Sequence, residues 1–401
     1  MEHESLFLPP HFGPLVFACL AVFVALWWIV LAGSRHGRRR RLRNRIAELD
    51  AKAAPPLPLE LEGMHQALAA ARRAGEQGTG DVERYSLYVL PWFMFIGDAE
   101  ADPGGLLDAA GERAGGAGGG DGASGPSVSP RSSGSATPFW QWRFLRSMIA
   151  IAIQPAALAD PADLRERSRW YRALLELAER RPRLALNGIV VCIGARTLLG
   201  EPAALAATLA LLRARVDDAA EHLRIALPVY LVVTGLEQLD GWELVRAALP
   251  PAVLEQAVGH RVGAPHGVPP GERFDLLFEE LMGRLGALRM ALLREQEDPV
   301  CKLAAHRFVE QLRALGPGLR AAVERLFGEP RSAVSLRWRG LYLTAGSAAS
   351  AAFAASAGAA APAGVTGAAE GAASTDHGGA FVHDLFAHFL PADQPLAHSR
   401  K

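Results

Sequence analysis

The segment that most constrains the fold is residues 227–242, LPVYLVVTGLEQLDGW. Its apolar run at 229–233 is rich in β-branched and aromatic side chains, which is typical of a parallel strand buried on both faces. Thr234 and Gly235 follow at the carboxyl end of this strand, the edge at which open α/β sheets bind ligands. The segment therefore predicts a buried strand with a candidate site directly after it.

Further apolar runs alternate with helical patterns along the chain. Strands are predicted at 87–96, within 139–155, at 188–194, at 229–233 and at 336–344, with helices at 161–180 and 201–223 between them. Strands that alternate with helices form a mainly parallel sheet with right-handed crossovers. The chain is therefore predicted to be an α/β protein with an added helical subdomain at 272–328. The last strand alternates only in part, which favours an edge position.

Residues 15–32, LVFACLAVFVALWWIVLA, carry no charge and are long enough to span a bilayer as a helix. The alternative, a cleaved signal peptide, would begin with basic residues, whereas Glu2 and Glu4 precede this run. The run is followed by seven arginines: Arg35, Arg38, Arg39, Arg40, Arg41, Arg43 and Arg45. The positive-inside rule predicts a periplasmic N-terminus at 1–14, a transmembrane helix at 15–33 and a cytoplasmic remainder. We also expect Arg35–Arg45 to contact anionic lipid.

The remaining composition sets the domain boundaries. Residues 34–84 are predicted to be a basic and helical connector, and residues 85–344 the main domain. The stretches 115–138 and 345–380 consist mostly of small residues with little to bury, which predicts loops. Residues 381–401 are predicted to form a C-terminal helix and tail of the same domain. The formal net charge is zero, so we expect no nucleic-acid partner.

Five segments of the main domain share an order with a known family. They read LYVLPWFMFIG, WRFLRSMIAIA, RPRLALNGIVVCIGARTLLG, LPVYLVVTGLEQLDGW and RWRGLYLTAG. Together they resemble the cytoplasmic NTPase-like domain of the TssM/IcmF proteins, inner-membrane components of type VI secretion systems. The resemblance extends from about residue 85 to the C-terminus, and it implies a sheet of P-loop or GTPase-like type. Family members also have a large periplasmic region, which the chain is expected to lack.

The nucleotide motifs that this resemblance implies are all altered. A Walker A loop needs glycines, a lysine and a hydroxyl to hold phosphates and Mg²⁺. Aligned from Gly97, Asp102 replaces the second glycine, Pro103 replaces the lysine and Gly104 replaces the hydroxyl residue. Ala152 stands at the Walker B aspartate. We therefore expect no catalytic residue and no nucleotide or metal cofactor.

The base-reading motif is altered as well. The GTPase pattern Thr/Asn-Lys-x-Asp corresponds here to Thr234, Gly235, Leu236 and Glu237, so the lysine is lost and the aspartate has become glutamate. Asp98 and Glu100, together with Asp102, are expected to place carboxylates where a triphosphate would lie. His383 and His388 are five residues apart, so the sequence predicts that they do not share a helix face.

The resulting prediction is a non-catalytic, membrane-anchored scaffold or accessory subunit of a type VI secretion membrane complex. It would reside in the inner membrane as a single-pass protein with its N-terminus outside, and would contact other membrane-complex and baseplate proteins. Two alternatives remain open: a membrane-tethered NTPase with an atypical site, and a regulator that competes with a full-length family member.

Overall fold

The computed structural model describes residues 12–52, 88, 90–116, 139–145, 147–160, 162–263, 267–328, 336–346 and 379–399. Most of the predicted periplasmic segment, most of the connector and most of both small-residue loops lie outside these ranges. The described main domain is built around a seven-stranded sheet in the order β2-β3-β1-β4-β6-β8-β7. Its strands are β1 (Trp92–Gly97), β2 (Trp140–Phe144), β3 (Ile149–Ile153), β4 (Gly188–Gly194), β6 (Pro228–Thr234), β7 (Val258–Arg261) and β8 (Arg337–Leu343).

Five neighbouring strands of this sheet are parallel, and the strand at each end is antiparallel. The pairs β1–β3, β1–β4, β4–β6 and β6–β8 are parallel, whereas β2 pairs with β3 and β7 pairs with β8 in the antiparallel sense. The prediction of a mainly parallel α/β sheet is confirmed. The edge position predicted for β8 is wrong, because β7 covers it. The four residues of β7 are too few and too polar to give a strand pattern.

One side of the sheet, here called the helical face, is covered by helices that alternate with the strands. It packs against the C-terminal half of α1 (Phe12–Asp50), α3 (Ala156–Ala159), α4 (Leu164–Arg180) and α6 (Pro202–Leu223). The sequence pattern predicted that α4 starts at residue 161. The helix instead begins after Asp163, whose carboxylate accepts the backbone N–H groups of Arg165 at 2.8 Å and Glu166 at 3.3 Å.

The short helix α5 (Ala195–Leu199) precedes α6. After β6, five helices lead to the last strand of the sheet: α7 (Trp242–Ala248), α8 (Pro251–Glu255), α9 (Pro270–Glu295), α10 (Pro299–Ala314) and α11 (Gly316–Val323). Helices α9 to α11 and a π-helical turn at Glu324–Gly328 occupy the region predicted to be a helical subdomain. They also bury side chains in the core of the helical face, including Phe274, Phe308 and Leu319.

The other side of the sheet, here called the C-terminal face, has a different cover. It packs against α2 (Pro103–Gly116) and against residues 380–399, the C-terminal segment. This segment contains a π-helical turn (Leu385–Phe389), α12 (Leu390–Ala392) and β9 (His398–Ser399), so the predicted single helix is only partly correct. β9 pairs with β5 (Ile225–Ala226), the short strand between α6 and β6.

Helix α1 is continuous from Phe12 to Asp50, and its two halves differ in their surroundings. Leu42, Ile46 and Leu49 are buried against the helical face. In the N-terminal half the large apolar side chains between residues 16 and 26 are exposed, among them Phe17, at 73%, and Phe23, at 63%. Within the part of the chain that the structure describes, no helix combines the length and apolar character needed to cross a membrane. The side chains of residues 27–36 lie outside that part.

Candidate functional site

The candidate site is the carboxyl edge of the sheet, where β1, β4 and β6 end side by side. Parallel register pairs Gly97 with Cys192 and Gly194 with Thr234, so Gly97 and Thr234, which come from two separate motifs, end the two strands that flank β4. Backbones approach closely here. A Cβ atom on Gly97 would lie 2.7 Å from the carbonyl oxygen of Cys192, which explains why only glycine fits at the end of β1.

The loop after β1 has the strand–loop–helix arrangement of a phosphate-binding loop but not its donors. Asp102 has a φ of 38°, a left-handed conformation that favours glycine and that Asp tolerates better than most residues. Pro103 is buried at the start of α2 and has no N–H to offer. The N–H of Gly105 donates to the Asp102 carboxylate at 3.1 Å, and the N–H of Leu106 donates to the Asp102 carbonyl at 3.1 Å.

Asp98 points into the protein rather than toward a ligand. Its carboxylate accepts the backbone N–H of Gly194 at 3.0 Å and the Thr197 hydroxyl at the start of α5. Burial raises the pKa of Asp98 above its ordinary value, and the two hydrogen bonds counteract this effect only in part. The expectation that Asp98 faces the position of a triphosphate is therefore wrong. This carboxylate instead joins the loop after β1 to the segment after β4.

Glu100 and Gly194 show how tightly that contact is made. Glu100 is exposed, yet a Cβ atom on Gly194 would lie 2.6 Å from the Glu100 Cβ. The turn is closed by the N–H of Ala101, which donates to the Asp98 carbonyl at 3.2 Å. The loop at residues 98–102 thus packs directly on the end of β4, and no room is left for a side chain at Gly194.

Ala152, the residue predicted at the Walker B aspartate, lies on β3, the strand next to β1. It is 2% exposed, and its methyl group belongs to the core of the C-terminal face together with Leu106 and Leu107 of α2. In the sheet Ala152 pairs with Gln141 of β2. Ala152 therefore contributes to the apolar contact between β3 and α2.

The altered base-reading motif is also tied into the fold. The Thr234 hydroxyl is buried and donates to the Ala101 carbonyl at 2.8 Å, which links β6 to the loop after β1. Gly235 has a φ of 79°, so its conformation favours glycine. The Glu237 carboxylate accepts the N–H of Gly346 at 2.8 Å, just after β8. Thr234 and Glu237 therefore connect the loops of one edge to one another.

The structure brings together two clusters of side chains that were not predicted from the sequence. Asp393 is 1% exposed and accepts the Tyr230 hydroxyl at 2.6 Å, while Arg339, at 3.3 Å, and Arg261 pair with the same carboxylate. The partners lie far apart along the chain, so no local pattern could have identified them. Burial raises the pKa of the Tyr230 hydroxyl, which keeps it protonated as the donor to Asp393.

The second cluster corrects a prediction from spacing. His383 and His388 were predicted not to share a face, yet their ring centroids lie 6.2 Å apart. The π-helical turn at Leu385–Phe389 brings residues five apart onto one side. Both Nδ1 atoms approach the Asp384 carboxylate, at 3.7 and 3.3 Å. Across the described ranges, no group of three or more His, Cys, Asp or Glu side chains could hold a metal ion.

Comparison with known proteins gives the family. The model of the IcmF-related N-terminal domain matches residues 164–401. The chain is 26% identical over 297 residues to the type VI secretion system component TssM1 of Pseudomonas aeruginosa, with 71% of this chain and 25% of that protein covered. The chain thus spans a quarter of the length of this curated relative. No solved structure matches the chain. Because the family model covers more than half of its residues, the chain belongs to the TssM/IcmF family, through its IcmF-related N-terminal domain.

Proposed function

We propose that this chain is a non-catalytic component of a type VI secretion system, and that its NTPase-like domain serves as a binding scaffold. Membership of the TssM/IcmF family and the similarity to TssM1 support the assignment to type VI secretion. The strand–loop–helix at β1 and α2, together with the positive φ of Asp102, supports descent from a P-loop type of sheet. The partners would be other proteins of the secretion membrane complex and baseplate.

One observation carries the non-catalytic part of the proposal: the loop after β1 is closed by its own side chains. A phosphate-binding loop keeps its backbone N–H groups for the ligand. Here Gly105 donates to Asp102, and the N–H of Gly194 on the neighbouring strand donates to Asp98. Pro103 contributes no donor and is packed against Gly97. A nucleotide would have to break these contacts before it could bind.

Charge works against a nucleotide as well. Glu100 and Asp102 place two carboxylates in the loop, with no lysine there to balance them, whereas the Asp98 carboxylate turns inward to Gly194. Two unit charges about 4 Å apart interact by about 4 kcal/mol at an effective dielectric constant near 20. Solvent weakens this repulsion without changing its sign. Ala152 adds no oxygen ligand for Mg²⁺, so the metal could not offset it.

Thermal unfolding with and without nucleotide tests this proposal. We expect no change in Tm when ATP or GTP is added with Mg²⁺ at millimolar concentration, compared with NaCl at the same ionic strength. A ligand present at one hundred times its Kd would stabilise the folded state by about 2.7 kcal/mol, which is easily detected. Pro103→Lys should not restore nucleotide binding. The new ammonium group would take the place of a buried ring and would interact with the neighbouring carboxylates instead of with a phosphate. A saturable increase in Tm of the unmodified protein would favour a tethered NTPase instead.

We further propose that residues 15–33 anchor the chain in the inner membrane, with the main domain in the cytoplasm. The uncharged sequence, the exposed apolar side chains between 16 and 26 and the arginines that follow support this placement. A reporter enzyme that is active only in the periplasm, fused after Lys401, should be inactive. High reporter activity would contradict the orientation, and recovery of the chain in the soluble fraction would contradict the anchor.

Co-purification addresses the scaffold itself. The chain, isolated from cells in mild detergent, should bring down other secretion membrane-complex or baseplate proteins, and Pro103→Lys should bring down the same set. A full-length family member that displaces the chain from those partners in a competition assay would favour the regulatory alternative. Failure to recover any secretion component would contradict the scaffold proposal.

A further inference from the structure

The direction of α1 relative to the sheet is fixed by three contacts with α4. Arg38 donates to the carbonyl of Pro182 at 2.7 Å, just past the C-terminus of α4. Arg43 pairs with Glu179 at 2.7 Å, and Asp50 pairs with Arg172 at 2.5 Å. The two helices are therefore antiparallel, and α1 runs from the end of α4 toward its start.

The end of α4 marks the amino edge of the sheet, since the chain passes from there into the first residue of β4. The end of α6 lies at the same edge, because it leads into β6. Arg38 reaches both helix ends, with a second hydrogen bond to the carbonyl of Leu223 at 2.9 Å. The part of α1 before residue 37 therefore extends beyond the amino edge and away from the candidate site, which lies at the carboxyl edge.

Two arginines of the domain directly follow the residues that bind Arg38 at this edge. Pro182 and Leu223, the two acceptors of Arg38, are followed directly by Arg183 and Arg224. Arg183 is exposed and Arg224 is half-buried, while Arg40 and Arg41 of the adjacent turn of α1 are exposed and Arg39 is half-buried. We name these five residues the arginine rim: Arg39, Arg40, Arg41, Arg183 and Arg224.

Two acidic side chains lie near the rim. Glu179 is already engaged by Arg43. Glu221 is exposed one turn before Arg224. The chain as a whole has no net charge, so the rim is a local concentration of positive charge rather than part of a basic protein. Three of its members lie on the same helix as the exposed apolar side chains between residues 16 and 26.

We propose that the amino edge of the sheet is a lipid-facing surface, on which the arginine rim contacts anionic phospholipid headgroups. The inference rests on the proposed membrane anchor and adds what that anchor does not specify. Arg183 and Arg224 belong to the folded domain, so the domain itself lies against the bilayer in one orientation. The carboxyl edge, with the closed loop at 98–102, then faces away from the membrane and is accessible to protein partners.

Physical chemistry favours this partner over a protein. Guanidinium groups bind phosphate oxygens with two parallel hydrogen bonds, and anionic headgroups present such oxygens at high density. Basic side chains beside a membrane segment gain attraction to anionic lipid that decays within a Debye length, about 10 Å at 0.1 M salt. Buried Arg38 fixes the relative position of α1 and the domain, so the rim residues approach the headgroups together.

Helix α6 supplies a matched pair of probe sites for the orientation. Glu201 and Glu221 are both exposed, at opposite ends of the helix and about 30 Å apart at 1.5 Å per residue. Each would be replaced by cysteine in the full chain carrying Cys19→Ala and Cys301→Ser, since Cys192 is fully buried. A fluorophore at each position would then be measured in vesicles that contain a quencher on the lipid headgroup.

We expect several-fold stronger quenching of the Glu221→Cys probe than of the Glu201→Cys probe. The vesicles would contain phosphatidylcholine alone or phosphatidylcholine and phosphatidylglycerol in a three-to-one ratio, and the difference should be larger with the anionic lipid. Arg41→Glu with Arg183→Glu should remove that gain. Arg307→Glu, at an exposed position on α10, is the matched control and should retain it.

The outcomes separate the inference from the anchor on which it rests. Protein that fails to float with vesicles would contradict the anchor and, with it, the lipid-facing surface. Protein that floats but shows equal quenching at the two ends, or stronger quenching at Glu201→Cys, would overturn the orientation alone. An equal loss of quenching in the Arg307→Glu control would overturn the role of the arginine rim.

Discussion

The two faces of the sheet are buried to a similar degree but are covered in different ways. On the helical face, α4 and α6 connect consecutive strands, so most covering residues are close in sequence to the strands that they cover. On the C-terminal face, the cover after α2 comes from residues 380–399, which follow the last strand of the sheet. Apart from α1, the first arrangement is made by helices that connect strands of the sheet. The second depends on a segment that follows all seven strands of the sheet in the chain.

The C-terminal segment is held by different contacts along its length. At the carboxyl edge, Ala380 pairs with Ala345 through two backbone hydrogen bonds. In the middle, the ring of Phe386 stacks on Phe95 with centroids 5.4 Å apart. At the amino edge, the Asp393 carboxylate accepts a hydrogen bond from Tyr230 and pairs with two arginines. A segment that is fixed mainly by such discrete contacts is expected to open as a unit before the whole domain unfolds.

The largest effect is expected on the helical face. Trp170 of α4 is fully buried, and Trp170→Ala should lower the free energy of unfolding by about 4 kcal/mol because it removes a large core side chain. Urea denaturation followed by circular dichroism in detergent measures the loss. Amides of both faces should exchange faster with deuterium to the same extent. Leu276→Ala is the control, since Leu276 is 66% exposed and should change little.

A smaller and more local effect is expected on the C-terminal face. Phe386→Ala should destabilise the closed position of the segment by about 3 kcal/mol, because it empties the contact with Phe95. Hydrogen exchange measured by mass spectrometry should then rise at residues 380–399 more than in β4. Phe389→Ala, at a half-buried position in the same turn, should have a weaker effect. Equal acceleration in the two regions would show that the faces unfold as one unit.

Asp393 tests whether the amino-edge contact is electrostatic. Asp393→Asn should destabilise the fold by about 2 kcal/mol, because it removes the buried charge that pairs with Arg261 and Arg339. Asp275→Asn is matched in chemistry, since Asp275 also pairs with an arginine but is 48% exposed. It should cost about 0 to 1 kcal/mol. Equal costs in urea denaturation would contradict a special role for the buried carboxylate.

The smallest effect concerns the loop that links the two faces at the carboxyl edge. The pKa of Asp98 is raised in the folded state, so folding favours the protonated form. The stabilisation is complete below the unfolded-state pKa and is lost as the pH rises through the folded-state pKa. The free energy of unfolding of Asp98→Asn, relative to that of the unmodified chain, should therefore be higher at pH 7 than at pH 4. We expect this difference to be about 1 kcal/mol or less.

Urea denaturation at the two pH values measures this difference. Asp240→Asn, at an exposed position, controls for the substitution itself. If Asp98→Asn were destabilising at pH 7 by more than at pH 4, the carboxylate would stabilise the edge through its charge. The closed loop would then be an ionic contact rather than a buried one.

Several features of the fold could be predicted from local sequence pattern. The runs at β4 and β6 are continuously apolar because each strand is covered on both faces. A continuous apolar run therefore predicts such a strand from the sequence alone. The helical region at 272–328 was identified from its amphipathic period. Strand β7 was missed because four residues in an edge position need no apolar pattern. The start of α4 was misplaced by three residues because Asp160 and Asp163 both suit a helix cap.

The prediction that the candidate edge lacks a nucleotide site rests on residue identity alone, because Pro103, Gly104 and Ala152 carry no ammonium, hydroxyl or carboxylate group. Only the tertiary structure decided where the remaining groups point. Asp98 turns inward to Gly194 and Thr197, and Arg38, which by sequence belonged to a uniform basic cluster, is buried between two helix ends. The reason is that the spacing of apolar residues along a helix or strand indicates only which of its faces is buried. Contacts between residues 96 or 185 positions apart depend on how strands and helices are brought together, and that assembly leaves no period in the chain.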